Sequence, residues 1–289
     1  MVDVEKWFDE ISSTVAGVPC SFPPQPWICS NPIPEAQLAH LGSMQNAYGS
    51  EPFPGKFEDY QKDPHFAELV EGKTVAFVGP SAHLVGKGMG DFIESHDVIV
   101  RVNQTQEIPK HRWSDFGHRT DVLASNLNAP SMAALSENIA WVKALKHIYG
   151  AGPSMWDRDK YGKIVDSWNV PWHNVSDGYL FKVYKEVGTT SSTGLSAMVV
   201  LMNYDLESLY ITGNSFYNFG KCGIVYYDEF EDEESMKKVN GENTQHYRHD
   251  IHAIEPQMEF FKRLLEVHYP HKLKIDDLLR DYFIGEQND

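Results

Sequence analysis

The chain has 289 residues, 42% of them hydrophobic and 23% charged, with 25 Lys and Arg against 41 Asp and Glu for a formal net charge of −16. This is globular usage with enough apolar side chains for a large core. The negative balance argues against non-specific binding to nucleic acid or to anionic membrane, both of which want Lys/Arg fields, so an anionic substrate must be met by local cations or N–H donors. No apolar run approaches the roughly 20 residues that span a bilayer. The first residues carry Asp3, Glu5, Lys6, Asp9 and Glu10 and no apolar stretch of the secretory kind, so a soluble, cytoplasmic protein is expected. Three sparse cysteines, Cys20, Cys29 and Cys222, fit free thiols in a reducing compartment.

Along the chain, residues 1–72 form a segment rich in Pro and aromatics, with Pro19, Pro23, Pro24, Pro26, Pro32 and Pro34 beside Trp7, Trp27 and Tyr48. It reads as extended and loop structure wrapped on the main domain, which the composition places at residues 73–289. Thr74 to Val78 is a short β-branched run closed by Gly79-Pro80-Ser81, the pattern of a buried strand and a tight turn. Val98 to Val102, ending at Asn103, predicts a second strand; Asp121 to Ala124, His147 to Tyr149 and Ser208 to Gly213 predict three more. Helical patterns lie between and after them at Met132 to Ala144, Ser192 to Asn203 and Glu255 to His268. Alternation of this kind implies an α/β, Rossmann-like, mainly parallel sheet with helices on both faces. Ligands of such sheets sit at the carboxyl ends of the strands.

The chemistry-bearing residues follow those strands. The glycine-bearing stretch from Gly79 to Gly90 allows backbone N–H groups to approach a phosphate, though its spacing is neither a dinucleotide fingerprint nor a P-loop. Ser192 or Thr193 can cap a helix whose first turn then offers free N–H groups and a positive dipole end to an anion. The acidic run Asp228 to Glu234 reads as a solvated loop. His246, His249 and His252 lack a completing Cys or carboxylate at ligand spacing, so no metal site is expected there.

Two of these stretches resemble the sialyl motifs of the eukaryotic-type sialyltransferases (glycosyltransferase family 29). Asp91-Phe92-Ile93-Glu94-Ser95-His96-Asp97, the strand to Arg101-Val102-Asn103, and Asp115-Phe116-Gly117-His118-Arg119-Thr120-Asp121 follow the large motif in order and spacing. Thr190-Ser191-Ser192-Thr193-Gly194-Leu195 and the strand ending at Gly213 resemble the small motif. Tyr226-Tyr227-Asp228 and His249-Asp250 fall where the family has its short aromatic motif and its catalytic histidine. Pro80 and Val225 stand where the family carries Asn and His, and Val75 where secreted members carry a disulfide Cys.

The resemblance implies a sialyltransferase-type variant of the GT-A-like fold and an inverting, metal-independent glycosyltransferase. It would transfer sialic acid from CMP-sialic acid to a glycan hydroxyl, with no cofactor beyond the CMP-activated donor. It implies His249 as the catalytic base and Gly79, Ser81, Asn103, Ser192, Thr193, Gly194 and Tyr227 as donor-binding residues. The partners expected are the CMP-sugar and a glycan acceptor. A CMP-Kdo transferase of the same fold and a non-catalytic nucleotide- or glycan-binding module are the alternative readings.

Overall fold

A computed structural model describes residues 60–104, 106–152, 158–214, 216 and 254–285. Its centre is a seven-stranded sheet in which every pairing is parallel. The strands are β1 (Thr74–Val78), β2 (Val98–Val102), β3 (Val122–Ser125), β4 (His147–Gly150), β5 (Trp172–Asn174), β6 (Ser208–Thr212) and β7 (Leu273–Ile275). Their order across the sheet is β5-β4-β3-β2-β1-β6-β7. The chain therefore walks outward from β1 to β5, returns to pair β6 with the free edge of β1, and finishes at β7. The walk reverses between β1 and β6, which is the switch point where α/β sheets open a crevice for ligands.

The central strands are β-branched and buried on both faces, as a covered parallel sheet requires. Helices cover both sides. On one face pack α1 (Pro64–Val70), α7 (Asp177–Val187), α8 (Thr193–Met202) and α9 (Ile254–His268), against Val75, Phe77, Val100, Val122 and Ile211. On the other, α2 (Gly90–Glu94) and α3 (Trp113–Phe116) bring Ile93 and Phe116 to Ala76, Val78 and Ile99. There too α4 (Ala129–Glu137), α5 (Ile139–Val142) and α6 (Arg158–Trp168) pack Met132, Val142 and Val165 on Leu123 and Ile148. The α/β, Rossmann-like class expected from the sequence is the one found.

Details differ. The single helix expected from Met132 to Ala144 is two, because Asn138 leaves helical geometry and turns its side-chain amide to the Ala134 carbonyl at 3.0 Å. The part of 1–72 that is described, residues 60–72, contributes α1, whose Phe66 and Val70 belong to the sheet's own core. Asp63 caps α1 by accepting from the Phe66 N–H at 2.8 Å, and Pro64 starts its first turn. Helix α8 is apolar all round and buried from Leu195 to Met202, as a helix lodged centrally on a sheet must be.

The last helix, α10 (Asp277–Phe283), begins at the switch point. Its N-cap Asp276 accepts from the Leu279 N–H at 3.0 Å with one carboxylate oxygen. The other oxygen accepts from the Thr212 hydroxyl at 2.7 Å, the Gly213 N–H at 3.2 Å and His83 Nε2 at 2.8 Å. Burial works to raise the Asp276 pKa, but the His83 hydrogen bond and charge, the Leu279 N–H and the Thr212 hydroxyl outweigh it and hold the carboxyl below its ordinary value.

Replacing Asp276 with Asn leaves one amide oxygen where two carboxylate oxygens accepted from four donors and turns an NH2 group toward at least one of them, which should cost about 1–3 kcal/mol of stability. Because the folded pKa is depressed, the stability this carboxylate contributes is present above its unfolded value near 3.8 and is lost as pH falls through the lower folded value. Urea unfolding of wild type and Asp276→Asn should therefore show a gap that is full at neutral pH and closes below about pH 4. A gap that does not depend on pH would contradict this account.

Candidate active site

At the switch point the turns after β1 and β6 lie back to back. The Gly79 N–H donates to the Thr212 carbonyl and the Ser81 N–H to the Gly213 carbonyl, both at 2.9 Å. A Cβ on Gly79 would run into the Gly213 backbone, and one on Gly213 into that of Gly79. Gly213 also holds φ at 69°, which other residues rarely adopt. The glycine after β1, read from the sequence as a ligand-facing turn, is thus required first by this backbone contact.

Ser81 is buried and held from the side. Its hydroxyl lies 2.9 Å from His83 Nδ1, and His83 Nε2 lies 2.8 Å from Asp276. A carboxylate only accepts, so His83 carries its proton on Nε2. The bonding order is that of a nucleophilic triad, but Ser81 is only 3% exposed and Asp276 also serves Thr212, Gly213 and α10. The relay fixes the turn.

The following glycines are not a free phosphate cradle. The N–H groups of Gly86 and Gly88 both donate to the Asp115 carboxylate at 2.9 Å. One protein carboxylate occupies the donors that the sequence offered to a ligand.

Asn103 follows β2 with φ at 49°, a left-handed conformation that Asn tolerates better than most residues. Its side-chain oxygen accepts from the Asn126 N–H at 3.1 Å, tying the ends of β2 and β3 together. The Asn126 oxygen in turn accepts from the Ser131 hydroxyl at 2.8 Å and the Asn128 N–H at 3.2 Å. Among the described residues the Asn103 amide nitrogen makes no hydrogen bond.

Ser192 is the N-cap of α8, its hydroxyl accepting from the Leu195 N–H at 3.3 Å. Its own N–H donates to Gln257 of α9 at 2.8 Å, and Ser191 and Ser196 bond through their hydroxyls at 2.5 Å. The first-turn N–H groups of Thr193 and Gly194 have no intrahelical acceptor, by helix geometry. Both residues are half-buried, and Gly194 lies beside the Asn214 side chain just past β6.

Of the residues named from the sequence, Gly79, Ser81, Asn103, Ser192, Thr193 and Gly194 therefore end elements that meet at the carboxyl edge of the sheet. Tyr227 and His249 lie outside the described residues, as do Val225, His246, His252 and the three cysteines. His83, Asp276, Asp115 and Asn126 were not singled out by the sequence. His83 stood in the Gly-rich stretch without a visible partner, since Asp276 is 193 positions away.

A second group lies on the other side of the fold. One ligand atom from each of Asp63, His147 and His173 falls within 4.8 Å of the other two, the one such metal-capable group among the described residues.

The chain matches no protein-family model and no curated protein sequence. Among solved structures it is similar to a mammalian sialyltransferase in complex with Gal-β-1-3GalNAc-ortho-nitrophenol. It is equally similar to a further structure of a mammalian sialyltransferase. In both cases the identity is 14%, the TM-score 0.47, and the match covers 84% of this chain and 86% of the other.

Proposed function

We propose that this chain is an inverting, metal-independent glycosyltransferase that moves sialic acid from CMP-sialic acid to a glycan hydroxyl. One observation carries the reading. The residues that match the two longer sialyl motifs, Asn103 and Ser192-Thr193-Gly194, end elements at the same carboxyl edge as the Gly79–Ser81 turn, beside the β1/β6 switch point. That is where a nucleotide-sugar belongs in a sheet of this order.

In this reading the N–H groups of Thr193 and Gly194, with the dipole of α8, receive the charge of the departing CMP phosphate. The Asn103 amide donates to the nucleotide. The acceptor oxygen bonds to the anomeric carbon as the bond from that carbon to the phosphate oxygen breaks, and CMP leaves with the electron pair. The acceptor proton passes to His249 acting as general base. Tyr227 contributes to the donor pocket. Neither step calls on a further cofactor.

CMP release by the purified protein, with EDTA present, tests the proposal in separate reactions with CMP-sialic acid and CMP-Kdo and simple galactosides as acceptors. Turnover of the first donor supports it, and turnover of CMP-Kdo alone would replace the donor. CMP binding without turnover of either would favour the binding-module reading. His249→Ala should lower turnover by about 10²–10⁴-fold while calorimetric CMP binding is retained; loss of both together would remove His249 from the base role. Asn103→Asp keeps the oxygen that bonds Asn126 but loses the donor and adds a negative charge. It should weaken CMP binding by about 10- to 100-fold, the worth of a hydrogen bond to a charged group. Unchanged affinity would take Asn103 out of the donor site.

A further inference from the structure

The group away from the switch point is built on the α1 face at the β4–β5 edge. His147 is the first residue of β4 and His173 is central in β5. Asp63 reaches them from the N-cap of α1. His147 is buried, while Asp63 and His173 are half-buried, so the group opens to solvent on one side. Phe66 packs over both rings, with centroids 4.9 Å from His147 and 5.4 Å from His173.

The imidazoles meet nitrogen to nitrogen. His147 Nε2 lies 2.7 Å from His173 Nδ1, and His147 Nδ1 lies 3.1 Å from His65 Nδ1. The second ring nitrogen of His173, Nε2, is buried without a hydrogen-bond partner. Two imidazoles and a carboxylate, each with a ligand atom within 4.8 Å of the other two, are a donor set suited to a cation.

We propose that Asp63, His147 and His173 form a binding site for a zinc-type divalent cation, which would clasp the start of α1 to the β4–β5 edge of the sheet. Mixed imidazole and carboxylate donors suit zinc and its neighbours better than magnesium or calcium, which prefer oxygen alone. Zinc–nitrogen bonds of about 2.0–2.1 Å place adjacent tetrahedral ligands roughly 3.3 Å apart. The 2.7 Å contact between the rings therefore has to open by a fraction of an ångström. With the cation on Nε2, the His147 Nδ1–H donates to His65, the orienting bond that ligating histidines commonly make. The open side leaves a fourth position to water.

The site is at the amino end of β4, whereas the proposed donor residues follow the carboxyl ends of β1 and β2. Its role is to hold the fold, and its test does not depend on the transferase reading.

The experiment uses the full chain stripped with EDTA and dialysed. ZnCl2 is titrated against a chelating dye, Tm is followed with and without zinc, and the visible spectrum of the Co2+ form is recorded. Wild type should bind zinc and gain Tm with it, and Co2+ should give the absorption of a four-coordinate site. Asp63→Asn keeps the helix cap but loses the carboxylate, and His173→Gln alters a rim residue. Each should retain its metal-free Tm within a few degrees and lose more than the roughly 10- to 100-fold in affinity that an outer-shell partner is worth. No zinc binding by wild type would overturn the proposal. So would binding left unchanged in both variants, because the cation would then sit elsewhere, among them His246, His249 and His252.

Discussion

The Asp276 carboxylate is the contact on which the carboxyl edge of the sheet depends. It joins three pieces of chain that no local propensity brings together. These are the turn after β1 through His83 and Ser81, the end of β6 through Thr212 and Gly213, and the first turn of α10 through Leu279. Each bond to an ionised acceptor in a buried setting is stronger than a neutral one, and leaving any one donor unmatched would be costly. The carboxylate also explains the two glycines. Once β1 and β6 are drawn together at their ends, their turns touch, and only residues without a Cβ fit between them. A crevice that a parallel sheet opens by topology is here given a rigid floor by one side chain.

Much of this was legible in the sequence and some of it was not. β1 and β2 follow from their β-branched runs with the boundaries found, because central strands of a covered parallel sheet are apolar throughout. β5 and β7 escape the same reading. They are three-residue edge strands, Trp-His-Asn and Leu-Lys-Ile, too short and too polar for any periodic signal. The Ser192 cap was visible because capping is local, two or three residues from cause to effect. Asp276, Asp115 and the Asp63–His147–His173 group were not, because each is defined by residues on separate elements. Composition can announce a histidine, but only the register of β4 on β5 sets His173 against Tyr149 and so brings its ring to His147.

The Gly86 to Gly90 stretch shows how a correct local signal receives a different use. Glycines do free backbone N–H groups there, as the sequence suggests. Asp115, itself buried at the end of α3, takes those of Gly86 and Gly88. A side-chain carboxylate and a ligand phosphate ask the same thing of a backbone, and the sequence does not distinguish an internal anion from an external one. That leaves the start of α8, where the N–H groups of Thr193 and Gly194 meet no side-chain acceptor among the described residues, as the better anion acceptor of the two.

The global charge of −16 sets the remaining requirement, since the proposed CMP-sugar is anionic and would approach against that field. One guanidinium is buried within the sheet. Arg101 is completely buried in β2, two residues before Asn103, and donates to the Phe116 and Arg119 carbonyls at 2.6 and 3.0 Å. It forms no ion pair among the described residues. The start of α8 offers a positive dipole end at that edge of a strongly acidic protein. The carbonyl bonds of Arg101 serve the fold as well, since they hold the 116–119 loop against β2.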